Sequence, residues 1–138
     1  MISYVGAAAG GTGGQHSVLL SVIIPVKNEE ENIPLLHAGL SRVLREQRYT
    51  YEILYIDDGS TDNSYEQLRQ IAACDLHARV IRFSRNFGQT AAISAGVQQS
   101  SGDILVFMDG DLQNDPIDIP RLLAKLDEGY DVVSGWRK

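Results

Sequence analysis

Two aspartates, Asp109 and Asp111, stand one glycine apart at the end of the apolar run Ile104-Leu105-Val106-Phe107-Met108. Carboxylates this close repel each other, and each raises the other's pKa unless a cation lies between or beside them. Their hard oxygens suit Mg²⁺ or Mn²⁺, ions that keep several waters and complete their shell with phosphate oxygens of a ligand. Asp-Gly-Asp is also ordinary turn chemistry. Taken alone, the triplet reads equally as a metal site or as a solvated turn.

What surrounds the triplet shifts that balance. A short apolar run bounded by Gly102-Asp103 and by the acids reads as a strand buried on both faces. Its acids would then emerge at the carboxyl end, where open parallel sheets collect ligands. Further strands are expected over Val18–Val26, Tyr51–Ile56, Val80–Phe83 and from Asp131 to Ser134. Between them, helical spacing of apolar residues predicts four helices. In the first, Ile33, Leu36, Leu40, Val43 and Leu44 form one face, with Asn28 or Asn32 as cap and Pro34 in the first turn. The second carries Tyr65, Leu68, Ile71 and Ala72. A small-residue helix from about Thr90 to Gln99 can pack closely on the sheet. The last runs from about Pro116 to Glu128, with Ile117, Leu122, Leu123 and Leu126 inward and Gly129 as its stop. Alternation of strand and helix without a hairpin signal predicts an α/β fold: a Rossmann-like, mostly parallel sheet with helices on both faces. Each polar cluster follows a strand, so Asn28-Glu29, Asp57-Asp58, Arg85 to Gln89, Asp109 with Asp111, and Trp136-Arg137 should share one rim. Five such clusters on one rim are hard to dismiss as turn chemistry.

Composition narrows the partners. The chain of 138 residues carries a formal charge of −6 and shows no local Lys/Arg cluster, which argues against nucleic acid as a partner. An acidic protein that binds an anionic ligand needs a cation in its site. A single cysteine, Cys74, excludes an internal disulfide framework and fits a reducing compartment; it is expected in the core. No apolar run reaches the length of a membrane-spanning helix. Residues 1–16 are Gly/Ala-rich without a basic start and are expected to be a disordered leader, leaving 17–138 as one domain. His37, on a mostly polar flank, is expected to be a surface residue rather than a catalyst, and His16 and His77 are expected in solvated positions.

The ordered set Ser21-Val-Ile-Ile-Pro-Val-Lys-Asn-Glu29, Ile56-Asp-Asp-Gly-Ser-Thr-Asp62, Arg85-Asn-Phe-Gly-Gln89, Met108-Asp-Gly-Asp-Leu-Gln113 and Val133-Ser-Gly-Trp-Arg137 resembles the family 2 glycosyltransferases. Within them it is most similar to the dolichyl-phosphate mannose synthase and bacterial polyprenyl-phosphate glycosyltransferase group. The resemblance implies a fold of the nucleotide-diphospho-sugar transferase type, incomplete at the C-terminus because relatives continue with an acceptor-binding region. It further implies that Pro25, Lys27 and Glu29 line a nucleoside pocket, that Ile56 and Asp58 face base and ribose, and that Asp109, Gly110 and Asp111 hold a divalent ion and the sugar diphosphate. Arg137 would lie by the phosphates, so that Asp111 and Arg137 are the catalytic candidates. Lys27 departs from the pattern, since the family commonly has an aromatic residue there. Asp57 reads equally as a ligand or as an acid bonding its own turn.

The reaction so implied is inverting transfer of a sugar from a nucleotide-diphosphate donor to a polyprenyl phosphate at the inner face of a membrane, with the catalytic domain on the cytoplasmic side. An acceptor oxygen that is already anionic needs little help from a base, which fits the lack of an obvious one in the chain. Two rivals come from other classes. One is a module that binds a nucleotide sugar without turning it over. The other is a phospho-acceptor signalling domain, which leaves Asn28-Glu29 and Arg85 to Gln89 without a role.

Overall fold

The computed structural model describes residues 4–7, 18–129 and 132–133. In chain order the elements are β1 (Tyr4–Ala7), β2 (Leu19–Val26), α1 (Ile33–Glu46), β3 (Thr50–Asp57), α2 (Ser64–Cys74), β4 (Ala78–Arg82), α3 (Gln89–Gln99), β5 (Ile104–Phe107), α4 (Asp118–Asp127) and β6 (Val132–Val133). They build one sheet in the order β4-β3-β2-β5-β1-β6. Strands β4, β3, β2 and β5 are mutually parallel, and β1 runs antiparallel to both β5 and β6. The expected alternation of strand and helix is thus met, with β2 and β3 in register over eight pairs from Leu19↔Thr50 to Val26↔Asp57.

The period-2 alternation of strand side chains decides which helix lies on which face. Leu20, Val22, Ile24 and Val26 of β2, with Tyr51, Ile53 and Tyr55 of β3, meet Ile33, Leu36, Leu40 and Leu44 of α1, Leu68 of α2, and Ile119, Leu122 and Leu123 of α4. Ile23, Leu54, Ile56 and Phe107 point the other way, toward Ala92 of α3. Helices therefore cover both faces, as parallel strands rich in Val, Ile and Leu require.

Several expectations are corrected. Tyr4–Ala7, within the stretch read as a disordered leader, pairs with β5 from Tyr4↔Phe107 to Ala7↔Ile104; β5 lies beside β2 on one edge only, and its other edge offers N–H and C=O groups that a short extended segment satisfies. Ile117 is 60% exposed rather than inward, and Ile119 takes its place, because α4 starts at Asp118 and its buried stripe is set from there. Cys74 ends α2 and is exposed, not core. Asn32 sits at the N-cap of α1 without a side-chain bond to the helix amides; its amide instead donates to Glu29 Oε2 at 2.6 Å.

The small-residue helix packs as closely as its composition allows. A methyl group added at Gly96 would collide with the Ile23 and Ile56 side chains of the sheet, both fully buried. Overpacking of this kind costs about 1–3 kcal/mol, against a gain of about 1 kcal/mol from replacing glycine within a helix. Gly96→Ala is accordingly expected to lower the urea midpoint; a midpoint at or above that of the parent would show that α3 can lift from the sheet freely.

Candidate functional site

At the carboxyl ends of the parallel strands, four polar loops converge. The first, after β2, is turned by Asn28 at φ 53°. Its side-chain oxygen accepts from the Thr61 N–H at 2.8 Å, and its own N–H donates to Ser60 Oγ at 2.9 Å. Asn28 therefore ties the β2 loop to the β3 loop instead of capping α1. Asparagine tolerates this left-handed backbone better than most residues. Glu29 is drawn in by an N–H bond to Ser64 Oγ at 2.8 Å.

The second loop begins with Asp57 and Asp58, both buried. Asp57 Oδ1 accepts from the Ser60 N–H at 3.1 Å, the local turn bond that one of its two readings anticipated. The carboxylate of Asp58 reaches the third loop: it accepts from Phe87 N–H at 2.7 Å and from Gly88 N–H at 3.1 Å. Gly88, at φ 100°, is the N-cap residue of α3. Asp58 thus fixes the segment that precedes α3.

Beyond β5, Asp109 and Asp111 are half-buried and Gly110 is buried. The Asp109 backbone N–H donates to Asn114 Oδ1 at 2.9 Å, which braces the triplet from behind. Gln89, the first residue of α3, donates from Nε2 to Asp109 Oδ1 at 3.3 Å. Asp111 Oδ1 accepts from the Gln113 N–H at 3.2 Å. Gly110 lies against the β2 end: a methyl group there would meet Pro25 O, Val26 Cγ2 and Glu29 Cγ at 3.5–3.6 Å. Leu112 follows at φ 63°, a left-handed conformation that costs a leucine roughly 1 kcal/mol and marks a loop whose path is imposed by its surroundings.

Together these loops enclose a cavity of about 470 Å³ lined by Pro25, Lys27, Glu29 and Asp58, by Asn86, Gly88 and Gln89, and by Asp109, Gly110 and Asp111. Of the candidate site residues, seven therefore meet here: Pro25, Lys27, Glu29, Asp58, Asp109, Gly110 and Asp111. Ile56 does not. Its side chain is fully buried in the core beneath α3, because alternation along β3 turns it into the sheet face. Arg137, with Trp136 and His16, lies outside the described residues. Asn86, Gly88 and Gln89 stand in the cluster after a strand and in the Arg85-Asn-Phe-Gly-Gln89 motif of the resemblance, but no site role falls to them there, because neither spacing nor charge singles them out.

The donor chemistry suits a small hard cation. At its β5 end the cavity is lined by two carboxylates, Asp109 and Asp111, beside the Gln89 carboxamide, and among the described residues no group of three or more His, Cys, Asp or Glu forms a closed metal cage. Mg²⁺ and Mn²⁺ are held in this way, by one or two carboxylates, with waters and phosphate oxygens supplying the rest.

Residues 21–138 match the model of "Glycosyl transferase family 2". The chain belongs to that family. Over 120 residues it is 45% identical to an undecaprenyl-phosphate 4-deoxy-4-formamido-L-arabinose transferase of Proteus mirabilis, covering 86% of this chain and 37% of that one. The chain thus spans little more than a third of the length of this relative. Among solved structures it resembles glucosyl-3-phosphoglycerate synthase of Mycobacterium tuberculosis in complex with UDP (TM-score 0.64, 31% identity, 81% of this chain and 41% of that one). It also resembles a mannosyltransferase of Pyrobaculum calidifontis in complex with GDP-Man and Mn²⁺ (TM-score 0.57, 25% identity, 70% and 28%). The fold of this family 2 chain is accordingly the expected nucleotide-diphospho-sugar transferase type.

His37 lies away from this cavity and corrects the expectation of a surface residue. Its Nδ1 is 2.7 Å from Tyr55 Oη and its Nε2 2.9 Å from Asp75 Oδ2. Burial lowers the His37 pKa, against the opposing pull of Asp75. Burial also raises that of Tyr55, so the phenol stays protonated and donates to Nδ1, while Nε2–H donates to Asp75. Burial pushes Asp75 upward, but hydrogen bonds from His77 and His37 hold it below the ordinary carboxylate value. Since the unfolded chain binds a proton at His37 more readily than the folded one, stability falls as pH drops below about 6.5. His37→Gln should flatten the dependence of the melting temperature on pH between about 6.5 and 5; an equally steep profile in the variant would refute this origin. Cys74 and exposed His77 flank the same cluster.

Proposed function

We propose that this domain binds a nucleotide-diphosphate sugar in the cavity between the β2, β3, β4 and β5 loops and serves in inverting transfer of the sugar to a polyprenyl phosphate. The observation that carries the reading is the convergence of Lys27, Glu29, Asp58, Asp109 and Asp111, from three strand ends, on one cavity. Support also comes from the relative named for undecaprenyl phosphate and from the neighbours solved with UDP, GDP-Man and Mn²⁺.

Each residue has a definite task. Asp109 and Asp111 supply carboxylate oxygens to Mg²⁺ or Mn²⁺, with Asn114 and Gln89 fixing the Asp109 side of the site. A divalent ion bound there would supply positive charge against the negative charge that grows on the departing nucleoside diphosphate. Lys27 contributes a positive charge beside the nucleotide in place of aromatic stacking. Pro25 and Glu29 shape the nucleoside end. Asp58 holds the loop carrying Asn86 and Gly88, and a carboxylate with lone pairs to spare can still accept from a ring N–H of the base. Arg137 is assigned to the diphosphate, where its guanidinium can clamp two oxygens. With a phosphate oxygen as nucleophile, no side chain has to remove a proton from the acceptor. Such chemistry belongs at the cytoplasmic face of a membrane.

The test is a transfer assay on the full-length protein with UDP- and GDP-sugars, undecaprenyl phosphate and Mn²⁺. Metal-dependent formation of a polyprenyl-linked sugar is expected. Tight, metal-dependent donor binding without any product would overturn the transferase reading in favour of a binding module.

A further inference from the structure

A second cleft, of about 900 Å³, opens beside the first and, among the described residues, shares Lys27 and Asn86 with it. It lies between the Gly59–Thr61 turn and the segment Arg82 to Asn86. Its chemistry is the inverse of its neighbour's. Where the first cavity is lined by four carboxylates, this one is lined, among the described residues, by Lys27, Arg82 and Arg85 and by no acid. In a chain of net charge −6, gathering three cations from two loops and a strand end without a counter-charge is electrostatically uphill. Among the described residues none of the three pairs with a carboxylate.

Both guanidinium groups are held in place by rings instead. Arg82 lies 4.0 Å over the Tyr65 ring centroid and Arg85 4.7 Å over that of Phe87. A guanidinium stacked on its face keeps its in-plane N–H edge for an anion, and less rotamer freedom remains to be lost on binding. The floor is equally fixed, because the Gly59 backbone approaches Arg85 and Asn86 so closely that even a methyl group would not fit between them. Ser60 Oγ already accepts from Asn28 N–H, which leaves its own proton to donate.

We propose that this cleft is a second anion site, separate from the sugar-donor cavity, that takes a phosphate-bearing ligand through Arg82, Arg85 and Lys27. A soluble phosphate ester and the headgroup of an anionic lipid present the same chemistry, and the experiment separates them. Isothermal titration of inorganic pyrophosphate into the full-length protein in EDTA, with no divalent ion at Asp109 and Asp111, reads the soluble source. Co-flotation with phosphatidylglycerol-containing vesicles, against phosphatidylcholine alone, reads the lipid source. Binding of at least one probe is expected, declining with salt. It should weaken tenfold or more in R82A/R85A and only a few-fold in R82K/R85K, with thermal melts confirming that both variants fold. Pyrophosphate alone identifies a soluble ligand, vesicles alone a headgroup, and both the shared phosphate. Failure of the wild-type protein to bind either probe, or equal binding by R82A/R85A, overturns the proposal. Titration of UDP and GDP with Mn²⁺ in the same variants reports on the donor cavity independently, so the two readings fail separately.

Discussion

Asp111→Asn should abolish Mn²⁺-dependent binding of nucleoside diphosphates while leaving the fold intact, a loss in affinity of at least a hundredfold. Two carboxylates are the charged oxygen donors at the β5 end of the cavity, and substituting one halves the negative charge available to a divalent ion. The amide that replaces it is nearly the same size, so packing is preserved. Asp111 is half-buried, and the bond that its Oδ1 accepts from the Gln113 N–H can be kept by the asparagine carbonyl. The effect therefore separates ligand binding from stability. Calorimetric titration of UDP and GDP with and without Mn²⁺, alongside a thermal melt, reads both. A variant that melts normally and binds with unchanged metal dependence would remove Asp111 from the site.

Gly59→Ala should act on stability and binding together. Gly59 sits at φ 73°, where a β-carbon costs about 1 kcal/mol, and its added methyl would stand 2.5 Å from Arg85 C and Asn86 N. Those are backbone atoms that cannot swing aside as a side-chain end can. With the strain of overpacking included, a loss of about 3 kcal/mol is expected. The displaced segment is the one Asp58 holds through Phe87 and Gly88, and it carries three residues that line the cavity. Nucleotide affinity should fall along with the denaturation midpoint. Retention of both would mean that the two loops are not held in mutual contact in solution.

Much of this arrangement was legible in the chain because strands and helices carry different periodicities. The alternation Leu20, Val22, Ile24 against Ile23, and the spacing of Ile33, Leu36, Leu40 and Leu44, are direct consequences of period 2 and period 3.6. Once parallel strands are accepted, loops after their carboxyl ends must share a rim, so Lys27, Glu29, Asp58 and Asp111 could be brought together without coordinates. What escaped depends on side-chain direction and on partners distant in sequence. Ile56 precedes a polar loop, yet alternation sends its side chain into the core. His37 falls on a helix flank that looks polar, but Tyr55 and Asp75, 18 and 38 residues away, enclose it. Tyr4–Ala7 pairs through backbone groups, which leave little trace in composition. The cationic cleft likewise joins Lys27 to Arg82 and Arg85 across more than fifty residues.

The central claim is that Asp109 and Asp111 hold a divalent ion through which a nucleoside diphosphate is bound. Paramagnetic broadening of backbone amide signals by substoichiometric Mn²⁺ in the presence of UDP or GDP tests it most directly. Broadening is predicted to centre on Gly110, Asp111 and Gln89 and to vanish in Asp111→Asn. Broadening centred on the His37–Asp75–His77 cluster instead, or the same pattern in that variant, would contradict it.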